Sequence, residues 1–130
     1  MTRDEILVPI VETIRQGTGL SKSRILRELE DWDAVEHLVN GQLAASAIVK
    51  GTEIHFAVAT AYRRRLIRRE NTRAFLAPLI ERRGFLTTRL KVEHAAERRF
   101  VERIGFVPTW SDGQFQYYLL DRLPFERKTT

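Results

Sequence analysis

Ile6, Ile10 and Ile14 stand four residues apart with Leu7 and Val11 beside them, a stripe that predicts a helix with one buried face. Thr2 followed by Glu5 has the form of a capping box, while Pro9 lies too deep for a first turn and predicts a kink or a later start. Gly17-Thr18-Gly19 ends the segment. A second short helix is predicted from Ser21, an N-cap residue, through Ile25, Leu26 and Leu29, with Trp32 anchoring the chain beyond it.

From Ala34 the period changes to two. "AVEHLV", "QLAASAIV" and "TEIHFAVA" are separated by Asn40-Gly41 and Lys50-Gly51, and Asn-Gly between apolar runs is a strong hairpin signal because both central residues take positive φ. A three-stranded antiparallel meander follows, with Ile54, Phe56 and Val58 on one face of its third strand and Glu53, His55 and Ala57 on the other. A long helix is predicted from Tyr62 to Arg83, with Leu66, Ile67, Ala74, Phe75 and Leu79 available for burial and Pro78 kinking or dividing it. Gly84 fits a C-cap, Leu86, Thr88, Leu90 and Val92 alternate as a strand, and "EHAAERRFVERIG" reads as a helix burying Ala96, Phe100, Val101 and Ile104. "FVPTW", a turn at Ser111-Asp112-Gly113 and "QFQYYLL" form a terminal hairpin. The order α, α, β, β, β, α, β, α, β, β predicts a single α/β (α+β) domain, a mixed, mostly antiparallel sheet flanked by helices. Residues 1–33 supply the N-terminal helices, 34–122 the sheet and helix core, and 123–130 a tail.

Composition narrows the chemistry. A length of 130 residues suits one core, and 43% hydrophobic with 30% charged residues is the balance of a folded soluble chain. The apolar run Leu43 to Val49 is far shorter than a bilayer span, and acids near the N-terminus do not fit a signal peptide, so a soluble, unexported protein is expected. With no cysteine, disulfides and thiol nucleophiles are excluded, and three scattered histidines give no metal-ligand spacing. A net charge of +5 favours polyanions without the excess of a dedicated nucleic-acid arm.

The order of elements, with a long helix after the third meander strand and "AAERRFVERIGF" closing the last helix on Gly-Phe, resembles the GNAT (general control N-acetyltransferase) superfamily over about Ala34 to Leu120. The run "RFVERIGFVPTWSDGQFQYYLL" is similar to the end of the internal virion protein A family of podophages, matched at Arg99, Phe100, Gly105, Asp112, Gly113, Gln114, Phe115 and Gln116. The loop between Gly105 and Asp112 is shorter here.

The resemblance implies an acetyl-CoA pyrophosphate site at the start of the long helix, with the signature Arg/Gln-x-x-Gly-x-Gly/Ala. Glycines there let the diphosphate approach the backbone. In the register from Arg63 both glycines are lost, to Leu66 and Arg68. Arg63, Arg64, Arg65 and Arg68 are then the candidate cofactor-binding residues, since guanidinium groups pair bidentately with phosphate. Two other uses stay open for the arginine run, a solvated helix face (Arg65, Arg69 and Arg73 form one stripe) and an acidic or polyanionic partner. The resemblance also implies a tyrosine that protonates the leaving thiolate, but Val101 stands in its place, leaving Tyr117 or Tyr118 as substitutes of which one should be core and the other surface. The resemblance implies a general base from the third meander strand, which points to Glu53 and His55; their other use is as polar residues at the sheet edge, exposed to solvent or paired with a neighbouring strand.

Three readings of function result. One is a GNAT-like phage protein with degenerate motifs, a non-catalytic virion or assembly component located in the virion or host cytoplasm, whose partners are phage structural proteins or a second copy through the C-terminal hairpin. The alternative is an active acetyl-CoA-dependent N-acetyltransferase. A nucleic-acid-binding module is a further alternative, on charge alone, with Glu70, Glu81, Glu93, Glu97 and Glu102 diluting the basic surface. No membrane partner and no metal are expected.

Overall fold

In the computed structural model, which describes residues 1–62 and 69–123, the N-terminal stripe forms two helices in place of one. Helix α1 (Arg3–Ile6) is capped by Thr2, whose side chain accepts from the Glu5 N–H at 3.2 Å. Leu7 interrupts it, and α2 (Val8–Thr18) restarts with Pro9 in its first turn, where a missing N–H costs no intrahelical bond. Gly19 closes α2 at φ 73°, a left-handed conformation that suits glycine. Helix α3 (Lys22–Glu28) begins at Ser21, whose hydroxyl accepts from the Arg24 N–H at 3.3 Å.

The chain forms two units, residues 1–66 and 67–130. In the first, β1 (Asp33–Val39), β2 (Gln42–Lys50) and β3 (Glu53–Val58) make the expected antiparallel meander. Asn40 and Gly41 have φ of 52° and 76°, the pair of positive angles that an Asn-Gly hairpin turn requires. Strand β2 is buried without interruption from Ala44 to Val49, so both of its faces are covered. On one face Ile48 and Ala57 join Leu7, Ile10, Val11, Ile25 and Leu29 in an apolar cluster, against which Trp32 and Ala34 also pack. That cluster holds α2 and α3 on the sheet. Because directly paired residues share a face, His55, opposite Ile48, lies on this helical side.

In the second unit, α4 (Arg69–Arg83) runs unbroken through Pro78, which neither divides the helix nor ends it. Pro78 is exposed, on the side away from the core. The buried positions are Thr72, Phe75, Leu76 and Leu79, the 3- and 4-residue spacing of one helical stripe. Ala74, expected inside, falls between turns of that stripe and is exposed. Leu66 and Ile67, the other expected core residues, lie outside the described residues. Strand β4 (Leu86–Lys91), helix α5 (Ala95–Ile104) and the hairpin of β5 (Val107–Ser111) and β6 (Phe115–Leu120) follow, with strand order β4-β6-β5 and antiparallel pairing. Val101 and Ile104 of α5 are buried, Phe100 is half-buried, and Ala96, expected inside, is exposed near the helix start. Among the described residues no helix is long and apolar enough to cross a membrane.

Candidate functional site

Glu53 and His55 are two apart on one strand, which puts both side chains on the same face. They meet: His55 Nε2 lies 2.6 Å from Glu53 Oε2, and both side chains are about one-third exposed, at 32% and 36%. An ionised carboxylate only accepts, so Nε2 carries the proton in this bond. In the neutral ring Nδ1 is then the unprotonated nitrogen, able to take a proton from another molecule.

The ring has a wall. Trp32 meets it edge-on, with centroids 5.7 Å apart and planes at 61°, and Lys50 Nζ lies 5.9 Å from the Trp32 centroid. Trp32 is fixed from two directions, by its N–H to the Leu29 carbonyl at 3.0 Å and by Arg3, whose guanidinium donates to the Leu29 and Trp32 carbonyls at 2.7 and 2.8 Å. A cation donating to the carbonyls that leave a helix C-terminus satisfies acceptors with no partner inside the helix. Arg3 thereby fixes the chain that carries Trp32. The sequence placed Trp32 as an anchor and gave no sign that it borders the histidine, because the two are distant in the chain and only the meander brings them together.

At the far end of β3 the Ala59 N–H donates to the Ala44 carbonyl at 2.8 Å, and a single turn of 3-10 helix (Thr60–Tyr62) leads away, with the Tyr62 hydroxyl donating to Gln42 Oε1 at 2.7 Å. His55 to Ala59 is four strand steps, about 13 Å. Arg63, Arg64, Arg65 and Arg68, the candidate phosphate-binding residues, follow directly and lie outside the described residues.

In the second unit, Val101 is buried in α5 and has no proton to give. Of the two substitutes, Tyr118 is core and Tyr117 half-buried. The Tyr118 hydroxyl accepts from Arg98 Nε and donates to Glu102 Oε2, both at 3.3 Å, which commits its proton to a carboxylate. The bond to Tyr118 also holds the Arg98 guanidinium above its ordinary pKa. Tyr117 stacks on Trp110 and reaches Asp112 Oδ2 at 3.4 Å.

No protein-family profile and no curated protein matches the chain. Solved structures do. An acetyltransferase of the GNAT family from Streptococcus agalactiae matches with TM-score 0.61 at 16% identity, covering 92% of this chain and 90% of its own. A ribosomal-protein-alanine N-acetyltransferase from Brucella melitensis matches with TM-score 0.60 at 14% identity, covering 95% and 96%. Ard1 from Thermoplasma volcanium matches with TM-score 0.58 at 20% identity, covering 97% and 95%. At such identities the likeness is one of fold, and the fold of this chain is that of the GNAT N-acetyltransferases.

Proposed function

We propose that the chain is an acetyl-CoA-dependent N-acetyltransferase in which His55, oriented by Glu53, accepts the proton of the amine substrate. The observation that carries this reading is the 2.6 Å bond between the two side chains on one face of β3. As the amine nitrogen bonds the acetyl carbon, the C–S bond to CoA breaks and the amine must shed a proton; His55 Nδ1 accepts that proton while Glu53 holds the Nε2–H, and CoA leaves as the thiolate, to be protonated by water. Acetyl-CoA supplies the acetyl thioester. Arg63 and Arg64 would pair with its phosphates, in place of the backbone donors that the family's glycines expose. The reading is supported by the fold, by the dyad and by the arginine run that follows β3 in the sequence.

A second reading, a non-catalytic component of a phage particle, is supported by the loss of both loop glycines, by Val101 in the tyrosine position, and by the exposed Val107 and Trp110 on the terminal hairpin. Its partners would be phage structural proteins or a second copy. Calorimetric titration with acetyl-CoA at low and moderate salt separates the two. Saturable one-site binding that weakens in Arg63→Ala and Arg64→Ala is the expected result; no heat above dilution would overturn the acetyltransferase reading.

A further inference from the structure

The β4-β6-β5 sheet has two unlike faces. Leu86, Thr88, Tyr118 and Leu120 are buried on one, where the Tyr118 hydroxyl bonds α5. The register puts Phe115 opposite Lys91 and Tyr117 opposite Arg89 on the other. There Trp110 lies flat on Tyr117, centroids 4.2 Å apart and planes within 1°, and it is 57% exposed. The Arg89 guanidinium sits 5.0 Å over the Phe115 ring. Strands β4, β5 and β6 contain no acidic residue. Asp112, in the turn, is occupied by the N–H groups of Gln114 and Phe115 at 2.9 and 2.7 Å and by Tyr117.

An exposed flat ring, Trp110, beside cations on strands that carry no acid is what bases and phosphates together recognise, with Asp112 bonded to its turn and Glu93, beyond Lys91, the acids at its margin. We infer that this face binds single-stranded nucleic acid, a base stacking on the exposed Trp110 while Arg89, seated over Phe115, and Lys91 take phosphates. Three adjacent strands span about 10 Å, room for two or three nucleotides. A second copy of the chain fits less well, because a two-fold contact on this face would bring Arg89 and Lys91 against their own equivalents. An acidic peptide would satisfy the cations and leave the ring faces without planar partners. The inference is independent of the acetyltransferase reading, since it rests on another unit and other residues.

The test is fluorescence anisotropy of labelled oligothymidylate and oligouridylate titrated with the full chain at several salt concentrations. The expected result is saturable binding to either single strand, weaker binding to a duplex, and a loss of about tenfold in Trp110→Ala that Trp110→Phe restores in part. Arg89→Ala with Lys91→Ala should flatten the log–log salt slope by about 1.4. Trp110 is exposed, so an unchanged melting curve is expected for Trp110→Ala and separates lost binding from lost fold. Equal affinity for single strand, duplex and inorganic polyphosphate, unaffected by Trp110→Ala, would reduce the face to a simple polyanion patch and overturn the inference. So would an absence of binding, with or without a dimer in sedimentation that Trp110→Ala dissolves.

Discussion

Glu53 and Asp112 are both carboxylates beside a hairpin turn, each close to a glycine of positive φ, Gly51 at 62° and Gly113 at 91°. Their hydrogen bonds go to different places. Asp112 turns back on its own backbone, where the N–H groups of Phe115 and Gln114 hold its carboxyl below the ordinary value of 3.8. Such a carboxylate fixes a turn and has little left to offer a ligand. Glu53 bonds a side chain that can itself carry a proton. Two acids in similar hairpins thus serve different ends, one shaping the chain and one orienting an imidazole, and the acceptor's partner is the deciding difference.

The largest effect that sharpens this contrast is on turnover. His55→Gln should lower kcat for amine acetylation by about a hundredfold or more with folding intact, the range of a lost general base. Glu53→Gln should lower kcat by a smaller factor and leave KM unchanged, as befits a residue that acts through another. Thiol release from acetyl-CoA, with circular dichroism as the folding control, measures both. Equal and full activity in the two variants would break the distinction between Glu53 and Asp112.

His37 of β1 gives an intermediate effect, on stability. It is 9% exposed, and burial pushes its pKa below the ordinary 6.5. The unfolded chain therefore takes up the proton first as pH falls, so the contribution of neutral His37 is fully present above 6.5 and is lost below it. Thermal melting followed downward from neutral pH should show a declining midpoint, and His37→Phe should flatten that decline. The smallest effect belongs to Asp112, which is exposed and screened by water. Its lowered pKa makes its contribution present above 3.8 and lost as pH falls through the folded value. Asp112→Ala should accelerate amide exchange at Gln114 and Phe115 at neutral pH and make little difference in strong acid.

Much of this was legible in the residues, for local reasons. Asn40-Gly41 requires a particular pair of backbone angles, and the two-residue period alone puts Glu53 beside His55. The order of elements carried the fold class. Burial on α4 was less legible, because an alanine fits inside or outside a helix and only packing decides; Leu76 and Thr72 took the place given to Ala74. Pro78 predicts a kink or a division of the helix, and α4 is not divided: an exposed proline removes one helical N–H bond and leaves the flanking turns to be held by Phe75, Leu76 and Leu79. The wall that Trp32 makes for His55 depends on Arg3 and on the meander, and contacts so distant in sequence leave no periodic trace.

Strand β2 has a consequence of another kind, for the chain before it is folded. Its residues Ala44 to Val49 carry no charge, no proline and no glycine, and both of its backbone edges are shielded only while β1 and β3 are paired to it. A short, neutral segment without proline or glycine, its edges unpaired in an open chain, is a template for pairing with other chains. Lys50, exposed at its end, interrupts the run with a charge before the next turn. Both neighbours of β2 are joined to it by tight turns, so the segment that most needs cover finds its two partners within a few residues of chain on either side, early in synthesis and before α4 is made.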